Sequence, residues 1–139
     1  MPNSLGQLLE ISQLRMRYPR REHWTLDGFT LGIAQGERIA LVGPSGCGKS
    51  TVAKAILQIL PSGSICEGTL LLAGQDPRSI NQSDLRKFRG DSVGLVFQDP
   101  MTRLNPLMTI GDHLLDTLKA NRPHMTFAWR KHRAEELLE

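Results

Sequence analysis

Disulfide chemistry is the first thing this sequence lacks. Two cysteines in 139 residues make no disulfide framework. Cys47 lies inside a glycine-rich loop and Cys66 follows a Pro-Ser-Gly-Ser turn, so pairing them would distort the loop. A reducing, cytoplasmic compartment is the simpler reading. Long apolar runs are missing too. The longest uncharged, apolar-rich stretch covers residues 55–66 and is broken by Pro61 and Gly63, too short to span a bilayer. Residues 1–13 hold no basic segment followed by an apolar core, which excludes a recognisable signal peptide there. No block of one charge sign dominates. The net charge is +3, and the densest basic patches are residues 15–21 and 130–133. A surface of that kind is ordinarily just solvated and gives no ground for expecting a nucleic-acid partner. Repeats and low-complexity tracts are also absent.

What remains is the composition of a globular chain, 40% apolar and 22% charged, long enough for a real core. Leu14, Met16 and Tyr18 alternate with polar neighbours, as do Phe29, Leu31 and Ile33; both runs predict half-buried strands. Residues 39–42 are apolar at every position, which predicts a strand covered on both faces, as in a parallel sheet. A buried helix is expected over 49–60, ended by Pro61 and Gly63, then a strand over 67–73. Asn81 is a plausible N-cap for a short helix through Phe88, stopped by Gly90. A second mostly apolar strand is expected over 92–97. Ile110, Leu114, Leu115 and Leu118 share one helical face, and Thr126 could cap a last helix.

Between the apolar run and the first helix, residues 43–50 read G-P-S-G-C-G-K-S and fit the phosphate-loop pattern G-x-x-x-x-G-K-[ST] at every fixed position. Glycines let the backbone curl so that successive amides point inward, and the helix N-terminus adds partial positive charge. Gly43, Ser45, Gly46, Cys47, Gly48, Lys49, Ser50 and Thr51 are therefore the candidate nucleotide-binding residues. Lys49 is expected to reach the β- and γ-phosphates of ATP, and the Ser50 hydroxyl to ligate Mg²⁺. Such a loop alone leaves small kinases, GTPases, transport ATPases and recombination or repair ATPases open. None of His23, His113, His124 and His132 lies at ligand spacing with another candidate ligand.

Residues 93–106, V-G-L-V-F-Q-D-P-M-T-R-L-N-P, narrow the choice. A strand ending in F-Q-D-P, about fifty residues after the loop lysine, resembles the Q-loop of ABC transporter ATPases. The extension M-T-x-L-N-P is similar to the subfamily that imports dipeptides, oligopeptides and, in some members, nickel. L-D-G-F-T-L-G-I-A-Q-G-E-R before the loop and E-G-T-L-L-L-A-G-Q-D after it match as well. The resemblance implies an α/β fold: a P-loop NTPase core with an N-terminal antiparallel β subdomain and the start of a helical subdomain, truncated. Residues 1–36 would be mainly antiparallel β, 37–100 the core through the Q-loop, and 101–139 the start of the helical part. It implies that Tyr18 stacks on adenine. It also implies that Gln98 contacts Mg²⁺ and the attacking water, a catalytic role shared with Lys49. Arg103 replaces the serine of M-T-S-L-N-P in the region that faces the membrane subunit. The implied partners are membrane-spanning transporter subunits and a second ATP-binding subunit, identical or paralogous, on the cytoplasmic face of a membrane.

The family's L-S-G-G-Q signature, its apolar strand ending in Asp-Glu and its switch histidine do not occur in the 139 residues. The expectation is a fragment that binds Mg-ATP weakly at best, hydrolyses it at no useful rate and exposes apolar surface. A stand-alone ATP-binding module or a non-functional gene fragment is the alternative.

Overall fold

The computed structural model describes residues 7–99, 102 and 104–139. They form two units, residues 1–85 and 86–139.

The first unit is built on three strands, β1 (Gln7–Arg17), β2 (Leu26–Ala34) and β3 (Ile65–Leu72), in the order β2-β1-β3 with both pairs antiparallel. The expected alternation holds in β1, where Leu14 and Met16 are fully buried. Leu9 and Ile11 share that face although they fall out of phase with Leu14. A bulge makes this possible: Gln13 has φ 51°, and the register shifts between Ile11 and Leu14. The Gln13 amide donates instead to Thr30 Oγ1 (3.1 Å). Opposite the bulge the chain needs a glycine, because a side chain at Gly68 (φ +89°) would run into the Gln13 carbonyl.

The buried face of the sheet, Leu9, Ile11, Leu14, Met16, Leu26 and Leu70, packs with Val52 and Ala55 of helix α1 (Lys49–Ile56). Helix α1 stops short of the expected residue 60. Gln58 takes φ 54°, its amide donates to the Ala55 carbonyl (3.2 Å), and Ile59 donates to Lys54 (3.0 Å). This is a Schellman closure with glutamine where glycine is usual, so Pro61 and Gly63 are not what ends the helix. On the other face of β1, Arg15 and Arg17 lie 4.7 and 5.4 Å from the Trp24 ring centroid. Beyond β3, Arg78 clamps Asp76 (Nη2–Oδ2 2.6 Å) and donates to the Gly68 carbonyl (2.9 Å), tying the Pro77–Ser79 turn to the sheet.

Two expectations are corrected. Residues 39–42 form no strand, and Val42 is 87% exposed. Residues 92–97 form none either, with Val96 91% exposed. An apolar run becomes a central strand only where neighbours complete its ladder, and neither run has a ladder partner among the described residues. The apolar exposure expected of the chain is present at these two places.

Helix α2 (Gln82–Asp91) is capped as expected, with Asn81 Oδ1 accepting from the Asp84 amide (2.9 Å), but it runs through Gly90. Gly90 is therefore no stop; its nearest neighbour is the Asn121 side chain, whose Oδ1 would lie 2.6 Å from an added Cβ and would have to turn away. The rest of the second unit is α3 (Ile110–Asn121) and α4 (Phe127–Glu136), which pack together. Thr109 and Asp112 close a capping box on α3, and Thr126 Oγ1 accepts from the Trp129 amide on α4 (3.2 Å). Among the described residues no helix is long and apolar enough to cross a membrane.

Candidate functional site

The glycine-rich loop of the first unit is shaped by two left-handed glycines, Gly46 (φ +83°) and Gly48 (φ +96°), the second serving as the N-cap of α1. Gly48 is buried against the end of the β1–β2 connection: a Cβ there would lie 2.6 Å from Leu26 Cδ2 and 3.0 Å from the Thr25 carbonyl. Alternation of hand along the loop produces the concave row of amides that accepts an anion. The helix it opens has no side-chain cap and no acidic residue in its first turn. Among the described residues nothing accepts from the amides of Gly46, Gly48, Lys49 or Ser50. Four donors and the positive end of a helix dipole are thus left without internal compensation.

Lys49 closes the same loop from the other side. Its Nζ donates to the carbonyls of Gly43 (2.7 Å) and Pro44 (2.7 Å) and lies 3.6 Å from Cys47 Sγ. The ammonium therefore sits on two neutral acceptors, which an anionic oxygen would outcompete. Ser45 and Ser50 are exposed at the loop, while Thr51 is buried. The Thr51 Oγ1 lies 3.2 Å from the hydroxyl of Tyr18, so the structure brings Tyr18, just past the end of β1, to the first turn of α1. No sequence signal pointed to this hydroxyl pair, because the two residues are 33 positions apart and neither is diagnostic of the other. Gln98 is exposed and belongs to the second unit. Arg103 lies outside the described residues, as do Pro100 and Met101 of the same motif.

A family profile described as ABC transporter matches residues 26–139. The chain belongs to the ABC transporter family. Relatives within it include the probable D,D-dipeptide transport ATP-binding protein DdpD of Escherichia coli (strain K12), 38% identical over 120 residues. That alignment covers 84% of this chain and 37% of DdpD. The oligopeptide transport ATP-binding protein AppD of Bacillus subtilis (strain 168) is 36% identical over 139 residues, covering 97% of this chain and 42% of AppD. The dipeptide transport ATP-binding protein DppD of the same bacterium is 37% identical over 106 residues, covering 75% of this chain and 32% of DppD. This chain of the ABC transporter family thus spans about two fifths or less of the length of these relatives.

The loop residues fit the phosphate chain of ATP. The open amides, the uncapped helix and the lysine are all donors of positive character. A Cβ at Gly46 would meet nothing within 4 Å, so the backbone is open to close approach. For Mg²⁺ the loop offers the exposed hydroxyl of Ser50 at the start of α1, which suits a hard cation that keeps most of its ligands as water and phosphate oxygen.

Proposed function

We propose that this chain is the ATP-binding portion of a transport ATPase that energises uptake of peptides or a related small solute. The carrying observation is the loop with four unpartnered amides at an uncapped helix and a lysine resting on two of its own carbonyls. The names of the relatives, all transport ATP-binding proteins, supply the physiological context.

In this reading Gly43, Ser45 and the open amides of Gly46, Gly48, Lys49 and Ser50 would hold the phosphates, Lys49 would neutralise the β- and γ-phosphates, and Ser50 would ligate Mg²⁺, while the amides of Cys47 and Thr51 stay on the Pro44 and Gly48 carbonyls. The metal supplies charge neutralisation on the phosphate oxygens. Tyr18 would stack on the base and Gln98 would serve the metal and the attacking water, roles that rest on the family resemblance. Phosphoryl transfer to water also needs a group that orients or deprotonates that water. No apolar run followed by Asp-Glu and no L-S-G-G-Q occurs in these residues, so the chain by itself binds rather than turns over. Membrane-spanning subunits and a second ATP-binding subunit complete the proposed machine at the cytoplasmic face of a membrane.

Calorimetric titration with Mg-ATP tests the reading. Lys49→Ala removes charge-assisted hydrogen bonds of about 1.5–3 kcal/mol and weakens binding about ten- to hundredfold, with the melting temperature unchanged. Equal affinity of the variant, or steady hydrolysis by the wild-type chain that Lys49→Ala abolishes, would each overturn part of the proposal: the first the site, the second the lack of turnover.

A further inference from the structure

Tyr18 is held at both ends. Its carbonyl accepts from the Arg21 amide (3.2 Å), which fixes the turn leaving β1, and its ring packs against the buried cluster under the sheet. At the far end of the ring, the hydroxyl lies 3.2 Å from Thr51 Oγ1. Thr51 is only 5% exposed, and its own amide is used within the helix start, donating to the Gly48 carbonyl (2.9 Å). A buried hydroxyl needs a partner, and Tyr18 is the side chain that provides one. Tyrosine has few rotatable bonds, so fixing its backbone and its hydroxyl fixes the long axis of the ring, and packing against the buried cluster limits rotation about that axis.

We infer that Thr51 is a positioning residue for base recognition: its hydroxyl anchors the far end, and so the long axis, of the Tyr18 ring against which the base of a purine nucleotide stacks. The inference rests on the reading of the loop as an ATP site. It deepens that reading by assigning one helix turn two tasks, phosphate binding through its amides and base orientation through a buried side chain. Base and phosphate recognition are then mechanically linked, because a shift of α1 moves both.

The test compares Mg-ATP with Mg-bound inorganic triphosphate, which has no base, by calorimetry on the full 139-residue chain. Thr51→Val keeps the side-chain volume and Tyr18→Phe keeps the ring, so each removes only one hydroxyl. Each is expected to weaken ATP binding about three- to tenfold, the worth of one partly buried hydrogen bond, and to leave triphosphate affinity unchanged. Thr51→Ser restores ATP binding, and the double variant is no weaker than either single one, as two halves of one contact require. Three results overturn the inference while leaving the nucleotide site intact: equal weakening of both ligands by Thr51→Val, an ATP affinity indifferent to Tyr18→Phe, or fully additive losses. The first would assign the Thr51 hydroxyl to the phosphates. A folded wild-type chain that binds neither ligand overturns the ATP-site reading itself, and this inference with it.

Discussion

Gly48→Ala probes whether the loop is fixed by backbone geometry or merely by the charge of Lys49. Two costs add at this position. A side chain at φ +96° occupies backbone space that L-residues avoid, at about 1–3 kcal/mol. The new Cβ would also lie 2.6 Å from Leu26 Cδ2 and 3.0 Å from the Thr25 carbonyl. Neither neighbour yields easily: Thr25 presents backbone, and Leu26 is 5% exposed within the core cluster. Overpacking of this kind costs about 1–3 kcal/mol, so the total is about 2–6 kcal/mol, a large share of the roughly 5–15 kcal/mol that holds a domain together. Gly46→Ala is the matched control. It has φ +83° but nothing within 4 Å, so it bears only the conformational term. Urea titrations of both variants, with slopes of about 1–3 kcal/mol per molar, should place the Gly48→Ala midpoint below that of Gly46→Ala by about 0.3 M or more. Coincident midpoints would refute the packing argument and leave only the backbone conformation at work.

Two further perturbations test the frame around the site, alongside the Lys49→Ala and Thr51→Val comparisons above. The Arg78 guanidinium bonded to Asp76 holds that carboxyl below its ordinary value of 3.8. A depressed carboxylate stabilises the fold above its unfolded value, and that contribution is lost as pH falls through the folded one. The stability gap between wild type and Asp76→Asn should therefore shrink between about pH 5 and about pH 2, and a constant gap across that range would remove the ion pair from the account. Thr109→Ala breaks the capping box in which Thr109 Oγ1 accepts from the Asp112 amide (3.1 Å). It should cost about 1 kcal/mol and speed hydrogen exchange in the first turn of α3, with exchange in β1 unaffected; unchanged exchange in that turn would show the cap to be idle.

The legible parts of the fold are those whose signal is carried by nearby residues. Leu14 and Met16 announce a half-buried strand because alternation is a property of six residues in a row, and β1 follows it. The bulge that brings Ile11 onto the same face depends on Gln13 meeting Thr30 and Gly68 across two other strands, which no local pattern encodes. The start of α1 is written in G-K-S. Its end is set by Gln58 at positive φ, a conformation the residue type disfavours and only the Schellman bonds reveal. Residues 39–42 show the converse error. Four apolar residues state that a strand there would want covering on both faces, but not that a ladder is available. Without one the segment lies exposed.

The same distinction separates what the site can do alone from what it needs others for. Every element of the phosphate loop is local: Lys49 reaches back five and six residues to Pro44 and Gly43, and the open amides fall within five consecutive positions. That geometry is formed although the apolar run leading into it pairs with nothing among the described residues. Binding of a triphosphate in the proposed site therefore asks little of the rest of the molecule beyond the packing of α1 on the sheet. Attack by water is different in kind, because its proposed participants are distant in sequence. Gln98 belongs to a second unit, and the Asp-Glu strand is not in this sequence at all. In the proposed reading capture draws on local geometry, whereas turnover draws on elements that must be brought together. Affinity and hydrolysis should accordingly separate in this chain, the first responding to Gly48, Lys49 and Thr51 and the second staying absent whatever is done to them.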